Sequence, residues 1–247
     1  MEKKLQQLSQ EIDGQLYYDE LWRSIYATDA SVYRKLPLAV CYSKNKQDLK
    51  RLINFARENK TSLIPRTAGT SLAGQCVGDG IVVDVSKHFT DIIEIDLQEK
   101  TVRVLPGVIR DDLNRVLAEH GLFFGPNTST SNRCMIGGMV GNNSSGTTSI
   151  KYGTTRDKVV SMKVLLSDGS GAEFREISAE EFQQKHKLKN LEGEIYQKIY
   201  AELSPAEARK EIIEKFPPKE LHRRNTGYAV DELIYSEVFS ETTDPIN

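Results

Sequence analysis

Apolar residues recur with a helical period in several stretches of the chain. Leu49, Leu52, Ile53 and Ala56 fall at i, i+3, i+4 and i+7 of KQDLKRLINFARENK and predict an amphipathic helix over residues 46–60. DDLNRVLAEHG (111–121) predicts a second: Asp111 and Asp112 open it, Leu113, Val116 and Leu117 face inward, and Gly121 ends it. Leu5, Leu8 and Ile12 give residues 1–30 a helical or irregular character. Strand signals are shorter. SLIP ends at Pro65, IVVDVS (81–86) is an apolar run of strand length, and TVRVLPG (101–107) is broken by Pro106–Gly107. VVSMKVLLSDGSGAEFREI sets two strand-like runs about an Asp168–Gly169 turn and predicts a hairpin. From 178 onward the chain turns helical and charged. Ser178/Glu181 and Ser204/Glu207 have capping-box spacing, and Pro205 suits a first helical position. Helices and parallel-looking strands followed by hairpins and then helices predict an α+β protein with two lobes.

Composition narrows the function. With 247 residues the chain can bury a core without a metal or disulfide. A net charge of -2 argues against a nucleic-acid partner, which calls for a basic face. No apolar run is long enough for a membrane span, and the N-terminal MEKKLQQLSQEIDGQ has no apolar core of a signal peptide. Cys41, Cys76 and Cys134 are odd in number and far apart, which gives no support to zinc or iron–sulfur ligation and suits reduced thiols in the cytoplasm. His88, His120, His186 and His222 share no metal-ligand spacing.

Glycine is distributed unevenly: twelve of 17 lie within residues 66–153. That pattern suggests loops gathered round a ligand. In RTAGTSLAGQ (66–75), small and hydroxyl residues follow a strand, and such a loop can turn its N–H groups toward one anion. Gly69 and Gly74 have P-loop spacing, but Gln75 and Cys76 stand where a P-loop needs Lys and Ser/Thr. There is no GxGxxG for a dinucleotide site of the Rossmann type. Residues 125–146 show no periodicity and no element of their own, yet Met135, Ile136, Met139 and Val140 argue against disorder. Gly137–Gly138 would let backbone lie flat against a planar ligand. Two such loops suit a long ligand with a diphosphate at one end and a ring system at the other.

These runs carry a resemblance. IPRTAGTSLAGQ (64–75), LPGV (105–108), GPNTSTSNRCMIGGMVGNNSSGTTSIKYGTTRDKVVSMKVLLSDG (125–169), YATDASVYRKLPLAV (26–40) and RRNTGYAVDEL (223–233) resemble the FAD-binding domain of the vanillyl-alcohol-oxidase or PCMH type. Within it they resemble the D-lactate, glycolate and 2-hydroxyglutarate dehydrogenase branch, in particular its large iron–sulfur-containing members. The resemblance implies a small lobe with short parallel strands and helices (about 33–105) and a larger one with an antiparallel sheet (about 106–216), with FAD between them. Residues 1–32 would be an N-terminal helical extension, and 217–247 the start of a linker to a substrate domain. Arg66, Thr67, Ala68, Gly69, Thr70, Ser71, Gly74 and Gln75 would line the FAD pyrophosphate. Pro126, Ser129 and Ser131 would lie by the flavin and phosphate. Gly137, Gly138, Asn142 and Gly146 would cover the ring system and ribityl chain, and Tyr152, Gly153, Val159 and Val160 would pack on the adenosine side. Thr70 and Ser71 stand where covalent members use a histidine, which implies non-covalent FAD. Cys134 is expected to be a packing residue.

Oxidation of a 2-hydroxy acid also needs a cationic clamp for the carboxylate and a base for the hydroxyl proton. In the family these come largely from a later domain, so the resemblance implies a fragment with no catalytic residue to name here. Its partners would be a small 2-hydroxy acid and an electron acceptor, reached through domains outside the chain. The rival readings are a phosphate-binding transferase or NTPase, a flavin-free interaction module, and an NADPH-dependent reductase of an enolpyruvyl sugar nucleotide on the same fold.

Overall fold

In a computed structural model of the chain, residues 1–218, 221, 227–240 and 245–246 are described. They divide into two compact units, Met1–Lys158 and Val159–Asn247. The first unit contains α1 (Glu2–Glu11), β1 (Gln15–Tyr17), α2 (Glu20–Ile25), β2 (Ala39–Tyr42), α3 (Lys46–Asn59), β3 (Leu63–Arg66), β4 (Ile81–Asp84), β5 (Ile92–Asp96), β6 (Thr101–Val104), α4 (Arg110–Ala118), α5 (Ile136–Gly141) and α6 (Ser149–Tyr152).

Its main sheet has the order β1-β2-β4-β3. β4 pairs in parallel with β2 (Val40 opposite Val82) and with β3 (Arg66 opposite Asp84), while β1 joins β2 antiparallel. Successive side chains of a strand point to opposite faces, and both faces are covered. Ala39, Cys41, Ile81 and Val83 meet Leu5, Leu8 and Ile12, together with Leu52 and Phe55 of α3. Val40 and Val82 meet Tyr26 and Trp22 on the other face. A smaller core joins Val108, Leu113 and Leu117 to Ile92, Ile95, Val102 and Val104 of the antiparallel β5–β6 pair.

The second unit contains β7 (Ser161–Leu165), β8 (Gly171–Arg175), α7 (Ala179–His186), α8 (Leu191–Leu203), α9 (Ala206–Lys215) and α10 (Val230–Leu233). β7 and β8 form the expected antiparallel hairpin, with Gly169 at φ 84° in its turn. Phe182, Tyr196, Leu203, Ile234, Phe239 and Ile246 make its core.

The α+β class therefore holds, and several local expectations change. Residues 1–32 pack into the first unit, because Leu5, Leu8 and Ile12 complete its sheet's core. The compact units divide after Lys158. Ile234, Phe239 and Ile246 are buried in the second core, although 217–247 read as a linker. His222 and the RRNT of the run at 223–233 lie outside the described residues. The stretch 125–146 does contain an element, α5, and α6 follows it. Ser178 caps α7 by accepting from the Glu181 N–H, but the Glu181 carboxylate takes Arg175 instead of closing the capping box. At α9 the cap position falls on Pro205, and Ser204 Oγ donates to the Tyr200 carbonyl.

One buried carboxylate ties the N-terminal segment to the sheet. Asp48 is fully buried, and its oxygens accept the backbone N–H groups of Asp13, Gly14 and Lys44, each at 2.9 Å. An Ala there would leave three donors unmatched, at roughly 1–3 kcal/mol for each one that water cannot reach. Asp48→Ala should lower stability by about 3 kcal/mol, since Asp13 and Gly14 can recover some water. Urea unfolding monitored by circular dichroism checks this, and an unchanged midpoint would remove Asp48 from that role.

Candidate functional site

The loop after β3 turns through Gly69 (φ 65°) and Gly74 (φ 70°), a conformation that favours glycine. The Ser71 hydroxyl organises its second half. Oγ accepts from the N–H of Ala73 at 3.1 Å and of Gln75 at 3.4 Å, and donates to Gln75 Oε1 at 2.9 Å. The Ala30 N–H donates to the Gly69 carbonyl at 3.1 Å and holds the first half. Among the described residues, the backbone N–H groups of Thr67, Ala68, Gly69, Thr70, Ser71 and Leu72 meet no protein acceptor. Six successive donors without an acceptor suit an anion with several oxygens. Arg66 is engaged elsewhere: Nη1 donates to the Thr28 carbonyl at 2.7 Å, and the guanidinium lies over the Tyr26 ring, 4.9 Å from its centroid.

The second segment is held by the first turn of α4. Arg110 donates from Nε to the Pro126 carbonyl at 3.1 Å and from Nη2 to the Phe124 carbonyl at 3.2 Å. Its Nη1 pairs with Asp111 Oδ1 at 2.8 Å. Asp111 Oδ2 accepts the Ser131 hydroxyl at 3.0 Å, so Ser131 faces α4 while Ser129 is exposed. Asn114 brackets Phe124, accepting its N–H at 2.6 Å and donating to its carbonyl at 3.2 Å. Pro126 is fully buried. Cys134 is also buried, with Sγ 3.2 Å from Thr128 Oγ1 and 3.6 Å from Met139 Sδ, as expected of a packing residue.

α5 brings the third segment against the other two. A Cβ on Gly138 would lie 2.4 Å from Thr67 Oγ1, and one on Gly146 would lie 1.6 Å from the Asn127 carbonyl oxygen. Gly137 donates its N–H to the Pro106 carbonyl at 2.8 Å. The three loops therefore form one cluster. At Gly138 the space read from the sequence as room for a planar ligand is taken by Thr67. Asn142 is exposed, its Nδ2 donating to Ser144 Oγ at 3.1 Å. Tyr152 stands edge-on to Phe123 with ring centroids 5.0 Å apart, and Gly153 follows it at φ 78°. Val159 and Val160 belong to the second unit, where Val160 is exposed.

A family model described as "FAD binding domain" matches residues 37–174, more than half of the chain. The chain belongs to the FAD binding domain family. The match takes in β2, β3, β4 and all three loops of the cluster. The FAD binding domain is 39% identical over 223 residues to a D-2-hydroxyglutarate dehydrogenase of Pseudomonas putida, covering 89% of this chain and 22% of that one. It thus spans about a fifth of the length of curated relatives that it matches. Its fold is shared with an alkyldihydroxyacetonephosphate synthase (TM-score 0.63, 20% identity, 71% of this chain and 35% of that one). It is shared also with p-cresol methylhydroxylase (TM-score 0.60, 17% identity, 70% and 35%), in keeping with the PCMH-type fold that the resemblance implies.

The residues present fit FAD, because its diphosphate offers the acceptors that the amides of Thr67–Leu72 lack. Among the described residues no group of three or more His, Cys, Asp and Glu could hold a metal ion, and no helix is long and apolar enough to cross a membrane. Sequence reasoning missed Arg110, Asp111 and Asn114 as the residues that shape the second loop. Asp111 read only as a helix opener, and the Asn114–Phe124 pairing has no signature in local pattern.

Two outcomes follow from this geometry. Gly138→Val should weaken FAD binding at least about tenfold by forcing Thr67 and α5 apart, whereas Gly141→Ala, with nothing within 4 Å of its Cβ, should leave it unchanged. A flavin fluorescence titration of both variants checks the contrast, and equal affinities would contradict it. The second outcome concerns acid. The hydrogen bond from Arg110 holds the Asp111 carboxyl below the ordinary carboxylate range; burial opposes this, and the Ser131 hydroxyl adds to it. A lowered folded-state pKa contributes stability that is present above the unfolded value of about 3.9 and is lost as pH falls through the lowered one. The stability gap between wild type and Asp111→Asn should therefore be constant from about pH 7 to 5 and close below about pH 4. Denaturant midpoints across that range measure it, and a gap that widens in acid would have the wrong sign.

Proposed function

We propose that this FAD binding domain holds its cofactor non-covalently and serves as the flavin-carrying part of a larger oxidoreductase that converts a 2-hydroxy acid to the 2-oxo acid. The observation that carries the reading is the run of unmatched amides from Thr67 to Leu72, set against α5 by the absence of a side chain at Gly138. In this reading Thr67, Ala68, Gly69, Thr70 and Ser71 receive the diphosphate, with Arg66, Gly74 and Gln75 fixing the loop's two ends. Pro126, Ser129 and Ser131 border the flavin and phosphate, and Gly137, Gly138, Asn142 and Gly146 back the ring and ribityl chain. Tyr152 and Gly153 serve the adenosine end.

Bound FAD supplies a hydride acceptor, which the side chains of a protein do not. Non-covalent attachment is supported by Thr70 and Ser71 in the loop and by the burial of Cys134 Sγ between Thr128 and Met139. A 2-hydroxy acid substrate is supported by the identity to the Pseudomonas putida protein. Arg110 does not offer the carboxylate clamp, since its guanidinium is committed to Phe124, Pro126 and Asp111. Clamp, base and electron acceptor are therefore assigned to other parts of the larger protein. A cytoplasmic location is supported by three buried, unpaired cysteines.

Acid or detergent should release all the yellow colour from the FAD-loaded chain, and flavin that stays with the protein band on a denaturing gel would end the non-covalent reading. In anaerobic mixing, dithionite should bleach the visible flavin band while D-lactate, glycolate and 2-hydroxyglutarate leave it unchanged. Loss of positioning alone removes about 7–11 kcal/mol of help to such a reaction. Rapid bleaching by any of the acids would place a complete active site within these 247 residues.

A further inference from the structure

Arg66 and Asp84 stand opposite each other on the parallel strands β3 and β4, yet among the described residues they form no ion pair. Tyr26 comes between them. It is buried at the end of α2, and its hydroxyl donates to Asp84 Oδ2 at 2.6 Å while sharing a 2.6 Å hydrogen bond with the Tyr42 hydroxyl. The face of the same ring carries the Arg66 guanidinium. Asp84 is also buried, and its Oδ1 accepts the Ser86 N–H at 2.7 Å. Burial, with Asp84 and Tyr42 adding to it, pushes the Tyr26 phenol well above its ordinary range, so it remains a donor.

Turned away from Asp84, the guanidinium reaches the Thr28 carbonyl and lies directly against Gly69, where a Cβ would fall 2.5 Å from Nη2. Gly69 sits within the run of unmatched amides. We infer that Tyr26 is a positioning residue for the FAD loop: it keeps Arg66 off the Asp84 carboxylate and braced beneath Gly69, so that the amides of Thr67–Leu72 stay presented. The inference rests on the reading of that loop as the diphosphate site. Without the ring, a cation and a carboxylate at matched positions on neighbouring strands would close on each other, and the brace would leave the loop.

The test is FAD titration of the chain, read by quenching of flavin fluorescence, with thermal melts to confirm folding. Tyr26→Phe keeps the ring face and should bind within about threefold of wild type, whereas Tyr26→Leu should lose at least about tenfold. Tyr26→Leu/Asp84→Asn should recover at least about fivefold of that loss, because the competing charge is gone; a merely structural role for the ring predicts no such rescue. Should Tyr26→Leu fail to fold, Arg66→Gln serves in its place. It should lose about tenfold, and adding Asp84→Asn to it should change nothing further. Wild-type affinity in Tyr26→Leu, absence of rescue, or wild-type affinity in Arg66→Gln would overturn the inference. Failure of the wild type itself to bind FAD would instead overturn the reading of the loop.

Discussion

Gly138 and Thr67 compete for one small volume, and the cluster exists because glycine yields it. The Thr67 hydroxyl occupies the place of a side chain on α5. Through that approach a loop leaving β3 and a helix far along the chain become a single surface. The same device recurs at Gly146, whose missing side chain admits the Asn127 carbonyl. At both positions a Cβ would collide with a neighbouring segment of the chain, so these glycines join protein to protein.

Irregular loops must still satisfy their polar groups, and here buried or half-buried side chains do so. Asp48 gathers three N–H groups between the N-terminal segment and α3. Arg110 and Asp111 hold the carbonyls of residues 124 and 126 and the hydroxyl of Ser131. Against that background the amides of Thr67–Leu72 have no acceptor within the described residues, on a loop that is half-buried at Thr67–Ser71 and exposed at Leu72. In the proposed reading a cofactor diphosphate would supply acceptors for these amides, which would link the loop's geometry to the chemistry of the family.

Much of this was legible in the residues, for reasons that can be named. α3 announces itself because Leu49, Leu52, Ile53 and Ala56 recur at helical spacing. The β7–β8 hairpin follows from Asp168–Gly169, since Gly169 takes the positive φ its turn requires. β2 went unseen because AVCY is four residues long and buried on both faces, which removes the alternation that marks a half-exposed strand. α5 is hidden by its own composition, with Gly137, Gly138 and Gly141 in six residues. It forms because Ile136 and Gly137 donate to the Val108 and Pro106 carbonyls, contacts that override propensity. The family resemblance implies Arg66 beside a phosphate, and its guanidinium turns to Thr28 and Tyr26, partners that lie far from it in sequence.

We propose that the backbone amides of Thr67–Leu72 receive the cofactor's diphosphate. Nuclear magnetic resonance of the ¹⁵N-labelled chain, titrated with FAD, addresses those amides directly. Their resonances should move on binding, with the Gly141 amide unaffected. Saturable FAD binding that leaves the resonances of Thr67–Leu72 in place would contradict it.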